Sequence, residues 1–304
     1  MAPQRYLWPG DLDDIEDIQN YRPGGFHPVH IGDVIRDEYR ILHKLGCGGF
    51  STVWLARALT DQRLCALKIL AANAPSDELD IMLYLAETVG SHPNVSSLHN
   101  HFTIMGPNGP HRCLVLSVLG PSLKHIQKLK LPTTAARGAA RQIAHGLAHI
   151  HAAGVCHSDL THANVLFALR DVDRWTDLEV YQHFGPPKIA PLRCIDGSIP
   201  QPTGPRQIIE AISFNTINPG LLSGDICIID FGLSFRTKSP PPGIPGTPRS
   251  FLAPELCFGL PRSPSNDVWS LGCLIFELYS TRVLFPLVFD RLDILIGTIV
   301  DTLG

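Results

Sequence analysis

Asp159 and Asn164, five positions apart in the run His157-Ser158-Asp159-Leu160-Thr161-His162-Ala163-Asn164, are residue types whose spacing can do chemistry. A carboxylate at Asp159 can orient an attacking hydroxyl and accept its proton, and an amide oxygen at Asn164 can bind a metal ion without adding charge. A polar loop capping a helix explains either residue alone but poorly explains the pair. Farther on, Asp230 follows the apolar run Ile226-Cys227-Ile228-Ile229 and precedes Phe231-Gly232. A charge at the end of a buried strand is costly unless it holds a cation, and Mg2+ favours one or two carboxylates together with phosphate oxygens.

Two further patterns extend this chemistry towards a nucleotide. Lys68 stands inside the apolar string Ala66-Leu67-Lys68-Ile69. Most strand lysines snorkel outward, and one that stays buried needs a carboxylate. Glu78 shares a helical face with Ile81, Met82 and Leu85 and can supply it, whereas Asp80 points elsewhere. A Lys–Glu pair that holds α/β-phosphate oxygens is the clamp that phosphoryl transfer requires. Upstream, Gly46-Cys47-Gly48-Gly49-Phe50-Ser51-Thr52-Val53 offers backbone N–H groups with no Cβ in the way of a phosphate. A dinucleotide site would need a helix after the glycines, and here β-branched residues predict a strand. Taken alone, a tight hairpin turn explains the glycines equally well.

The elements that must position these residues follow from periodicity. Short β-type runs over residues 39–70 predict an antiparallel meander, and residues 113–118 predict a buried strand. Helices are predicted over 76–87, over 133–153 with an end near Gly154, and over 267–280. Val165-Leu166-Phe167 and Ile226–Ile229 read as short strands. Between them, residues 170–224 form a long Pro/Gly-rich connection of the kind that is functional or mobile. Residues 1–30, with Asp11, Asp13, Asp14, Glu16 and Asp17, read as an extended acidic arm.

Composition narrows the class. With 304 residues, 44% hydrophobic and 17% charged, the chain is globular and can build two lobes. A net charge of −3 provides no strong positive field for nucleic acid. The apolar stretch 271–300 is interrupted by Glu277, Arg282, Asp290, Arg291 and Asp293, so a buried helix is expected there and no membrane span. The N-terminus has no signal-peptide pattern. The eight cysteines form no C-x-x-C pair and read as reduced thiols.

In this order, with Ala253-Pro254-Glu255 and Asp267-Val268-Trp269-Ser270-Leu271-Gly272 following, the motifs resemble those of a eukaryotic protein kinase. Within that superfamily the chain is similar to the SR-protein kinases, including fungal members. The supporting strings are His27-Pro28-Val29, Ile31-Gly32-Asp33, Lys44-Leu45-Gly46, Phe50 to Leu55, Val118-Leu119-Gly120 and His157-Ser158-Asp159.

The resemblance implies a bilobed α+β fold: an arm over 1–38, a small antiparallel β lobe over 39–119, and a helical lobe over 120–304 with an insert at about 170–224. It runs to Gly304, just after a stretch like helix G, so the remaining helices of that lobe are expected to be missing. It also implies transfer of the ATP γ-phosphoryl group to Ser/Thr hydroxyls of Arg/Ser-rich proteins, in cytoplasm and nucleus. Asp159, Lys68 and Glu78 would be catalytic. Asn164 and Asp230 would hold Mg2+. Gly46, Gly48, Gly49, Phe50, Ser51, Val53, Ala66, Lys68, Leu116 as gatekeeper and Leu119 in the hinge would bind ATP.

Three departures stand out. Thr161 occupies the place of a lysine on the γ-phosphate, a loss of a few kcal/mol, comparable to one oxyanion donor. This departure keeps open a second reading, a weak or inactive relative that still binds nucleotide. Gly246-Thr247-Pro248 lies one residue farther from Ala253 than the resemblance implies, so the sequence does not assign Thr247 to Asp159. The arginine that would pair Glu255 is expected among the missing helices.

Overall fold

The computed structural model describes residues 4–75, 77–126 and 131–304. Ser76, at the start of a predicted helix, lies outside the described residues. The chain divides into two compact units, one of Met1–Ala74, Leu98–Val118 and Leu169–Leu221, the other of Pro75–Ser97, Leu119–Ala168 and Leu222–Gly304.

The first unit is built on a six-stranded antiparallel sheet. Its order is Val34–Ile35, Tyr39–Cys47, Ser51–Ala58, Leu64–Leu70, Gly109–Leu116 and Leu98–Gly106. Leu64–Leu70 is buried along its whole length, as its near-continuous apolar sequence requires of a central strand. One face packs Ile41, Trp54, Leu67, Ile69 and Cys113 into a core. The register sets Lys68 opposite both Val53 and Leu114, and Ala66 opposite Leu116.

The N-terminal segment, expected as an extended arm, is instead part of this unit's packing. Tyr6, Ile18, Tyr21 and Phe26 are buried with Ala190, Leu192, Cys194 and Ile208 of the 170–224 connection. The two stretches, with Ala71, share one apolar cluster. The connection is correspondingly ordered. Ile189–Pro191 pairs with Gln207–Ile209, and Arg193–Cys194 pairs with Tyr6–Leu7. The Asp177–Phe184 helix starts from a Thr176/Glu179 capping box. Its Asp177 takes Arg57 at 2.8 Å and Arg40 at 2.7 Å, so two strands of the sheet grip the insert.

The N-terminal segment has its own anchor. Lys44, with no side-chain surface exposed, forms an ion pair with Glu16, which also accepts from the Tyr21 hydroxyl, and it donates to Ile209 O at 3.0 Å. Removing one member of a buried pair leaves the other charge uncompensated. Lys44→Met is therefore expected to destabilise the first unit by about 3–5 kcal/mol, read as a lower midpoint in urea unfolding followed by Trp fluorescence.

The second unit is mainly helical, with helices Asp77–Thr88, Thr133–Ala152, Pro264–Ser280 and Leu292–Leu303. Thr133–Ala152 buries Ala136, Ala139, Ile143, Gly146, Leu147 and Ile150, a stripe at helical spacing. Gly146 permits close approach: a Cβ there would stand 2.9 Å from Asn94 O and 3.0 Å from the Ile228 side chain. Against this helix lies Leu222–Ile228, in a small sheet ordered Leu222–Ile228, Val165–Leu169, Leu119–Ser122. All eight cysteines are free. Among the described residues no helix is long and apolar enough to cross a membrane.

Candidate active site

Asp159 sits in the loop between Val155–Cys156 and Val165–Leu169, and a single buried carboxylate shapes that loop. Asp267, 1% exposed in the first turn of Pro264–Ser280, accepts the His157 N–H through Oδ2 and the Ser158 N–H through Oδ1, each at 2.7 Å. His151 Nε2 lies 2.9 Å from Oδ2. Burial pushes the Asp267 carboxyl up, but the His151 hydrogen bond, the His157 ring and the two backbone amides together hold it below its ordinary value. Held this way, Ser158 adopts φ 66, a left-handed conformation that a non-glycine residue keeps only when its surroundings impose it. The turn aims the next residue, Asp159.

Two side chains then fix the Asp159 carboxylate. Asn164 Nδ2 donates to Asp159 Oδ2 at 2.8 Å and to its carbonyl at 2.9 Å. Thr247 Oγ1 lies 2.8 Å from Asp159 Oδ1 and 2.7 Å from Ser158 O. The spacing argument withheld Thr247 from this role, and the structure gives it the role. Between Thr247 and Ala253 the chain makes a short helical turn at Arg249–Phe251. Because Thr247 acts through Asp159, Thr247→Val is expected to lower kcat about 10- to 100-fold with little change in KM for ATP, since small misplacements of a catalytic group are that costly. Steady-state kinetics checks this.

Asn164 and Asp230 are tied through the backbone: the Ile229 N–H donates to Asn164 O at 2.9 Å. Asp230 has φ 68, a second strained residue at the site, and its Oδ1 takes the Gly232 N–H at 3.3 Å. Burial raises the Asp159 carboxyl above its ordinary value. The Thr247 hydrogen bond and the His157 ring work against that rise, and the Asp230 charge adds to it. Two carboxylates within each other's field and an amide oxygen beside them form a donor set for a hard cation. The Asn164 nitrogen is committed to Asp159, which leaves its oxygen for a metal. Among the described residues there is no group of three or more His, Cys, Asp or Glu side chains placed to hold a metal ion. Mg2+ takes few carboxylates and completes its shell with phosphate oxygens and water.

The other residues expected at the site are divided between the two units. In the first unit, Lys68 is 8% exposed on the central strand, and the register puts Val53, Ala66, Lys68 and Leu116 on one face of the sheet. In the glycine turn, the Gly48 N–H donates to Ser51 O at 2.9 Å, a Cβ at Gly46 or Gly49 would meet nothing, and Phe50 is exposed while Ser51 is buried. In the second unit, Glu78 is buried with Ile81, Met82 and Leu85 on the Asp77–Thr88 helix, Asp80 is exposed, and Leu119 opens Leu119–Ser122. Thr161 is only 2% exposed.

Asp267 was legible only as part of a motif. The signal for its role is a carboxylate in the first turn of a helix, on a buried face that also carries Asn266, Ser270 and Glu277. Glu255, expected to await an arginine, takes a hydrogen bond from Asn266 Nδ2.

Comparison with known proteins gives a consistent answer. The protein kinase domain profile matches residues 39–189 and 219–293. A serine/threonine-protein kinase SRPK of Physarum polycephalum is 32% identical over 310 residues, covering 93% of this chain and 71% of that protein. SRSF protein kinase 3 of Homo sapiens is 36% identical over 174 residues, 53% of this chain and 31% of the human protein. A serine/threonine protein kinase of Aspergillus fumigatus is 31% identical over 271 residues, 86% of this chain and 63% of its own length. A crystallised kinase domain superposes with a TM-score of 0.61 at 23% identity over 86% of this chain and 70% of its own, a likeness of fold.

Proposed function

The chain belongs to the protein kinase domain family, and from that premise we propose that it phosphorylates Ser or Thr hydroxyls of Arg/Ser-rich proteins. The observation that carries this reading is Asp159, a carboxylate held by Thr247 and Asn164 on a loop anchored by Asp267. So braced, it can accept the proton of an attacking hydroxyl without first reorganising. Asn164 and Asp230 are the residues that would hold Mg2+, and Lys68 and Glu78 keep the clamp roles their sequence positions assign them. Bound Mg·ATP supplies the phosphoryl group and a cation that offsets triphosphate charge.

Room for a polypeptide substrate lies beside the base. Thr247 lines a cavity of about 840 Å3 with Pro245, Arg249, Val283, Leu287 and Val288. The SR-protein likeness of the relatives supports Arg/Ser-rich substrates, and cytoplasm and nucleus are the compartments we propose. The test is label transfer from γ-labelled ATP with Mg2+ to an Arg/Ser repeat peptide. Transfer that vanishes when the serines become alanine supports the assignment. No transfer to the serine peptide rejects it.

One observation favours a weaker second reading. Thr161 is buried and uncharged, so that position supplies no cation to the transferring phosphoryl group. A thermal-shift titration separates the readings: stabilisation by Mg·ATP without label transfer indicates a nucleotide-binding scaffold.

A further inference from the structure

The N-terminal segment is held in the first unit at a pair of imidazoles, half-buried His27 and fully buried His111, each with an unpartnered nitrogen. There Asn108 Nδ2 donates to Phe26 O at 2.6 Å, and His27 follows with its ring 4.9 Å from that of His111. His111 is fully buried and donates from Nδ1 to Leu70 O at 2.9 Å, which leaves its Nε2 as a bare lone pair. Neither that atom nor His27 Nδ1 has a hydrogen-bond partner. The packing is tight: a Cβ at Gly106 would stand 2.3 Å from His27 Nδ1. The other ionisable groups facing His27 are Asp33 and His30, which lie 3.3 Å from each other.

An imidazolium at His27 would be largely stripped of water and would face His111. Burial first, with His111 adding to it and Asp33 opposing it, lowers His27 to about 4. The ring is thus neutral in the folded unit and would charge on release. The strap's stability is therefore level above the ordinary histidine value of 6.5 and falls as pH drops from there towards 4.

We propose that residues 12–29 are an acid-released strap, freed from the first unit when His27 takes up a proton. The strap also holds the end of the central strand. Ala72 N–H donates to Gly25 O at 3.0 Å and Asn73 N–H to Gly24 O at 2.8 Å, in the stretch that leads directly into the helix carrying Glu78. Its release would loosen that stretch and lower transfer at the proposed site, a consequence that rests on the kinase reading above.

Hydrogen exchange of the full chain at pH 7.5 and 5.0, corrected for intrinsic rates, reads the opening at Gly24, Ala72 and Asn73. Protonation of His27 alone is expected to increase opening about 30-fold at pH 5.0, and His27→Phe is expected to remove that share. A 1H NMR titration of His27 in the unaltered protein tests the same point without a variant. Titration near 6.5 in the folded chain, or equal protection at both pH values, overturns the strap. Acid-dependent opening with no label transfer at any pH upholds the strap and counts against the kinase reading instead.

Discussion

Asp159→Ala is expected to lower kcat for peptide phosphorylation roughly 10^3-fold while leaving Mg·ATP affinity within about threefold, because it removes the proton acceptor and keeps the nucleotide ligands. The substitution is structurally mild. Asn164 and Thr247 each lose one acceptor on Asp159 but keep a backbone carbonyl, Asp159 O and Ser158 O respectively. Asp159→Asn tests the proton directly, since it keeps the shape and removes the basic oxygen. Because Thr247 works through the same carboxylate, adding Thr247→Val to Asp159→Asn is expected to cost little more. A double variant far slower than Asp159→Asn alone would mean that Thr247 has a role of its own. Single-turnover kinetics with a separate nucleotide-binding assay reads both quantities.

Asp267→Ala carries the second large effect, on stability. Its two oxygens satisfy two buried backbone amides and one histidine. A buried donor left without an acceptor costs about 1–3 kcal/mol. Losing the whole set is expected to destabilise the second unit by about 3–5 kcal/mol. In a domain of this size that is a drop of roughly 8–15 °C in Tm. Asp267→Asn relieves little of this, because one of its two ends would present N–H to N–H. The carboxyl is held below its ordinary value of 3.8 in the fold, so its contribution is complete above that pH and is lost as pH falls through the lower folded value. The acid limb of the stability curve should therefore flatten in Asp267→Asn. Calorimetry between pH 2.5 and 7 checks both expectations.

What could be read in the sequence was whatever depends on neighbours along the chain. Asp159 and Asn164 share one short loop, Asp230 ends one strand, and the inward turn of Glu78 follows from helical spacing to Ile81, Met82 and Leu85. What was obscured depends on distant partners. The acidic side chains of residues 11–17 masked Tyr6, Ile18, Tyr21 and Phe26, whose burial requires Ala190, Leu192 and Ile208. Thr247 was withheld on a residue count back from Ala253, which does not reveal that its hydroxyl lies 2.8 Å from Asp159 Oδ1. Glu255 accepts from Asn266 Nδ2, eleven positions on, a contact that the motif alone does not spell out.

The division of the first unit among three stretches of chain has a consequence for biosynthesis. Its sheet is complete once Leu116 has left the ribosome, but Glu16 and Lys44 are not sealed until Ile209 emerges to cap them. At ordinary elongation speeds that interval is roughly 5–20 s. Throughout it, Tyr6, Ile18 and Tyr21 would lie open on a nascent chain, available to any chaperone that binds exposed apolar segments.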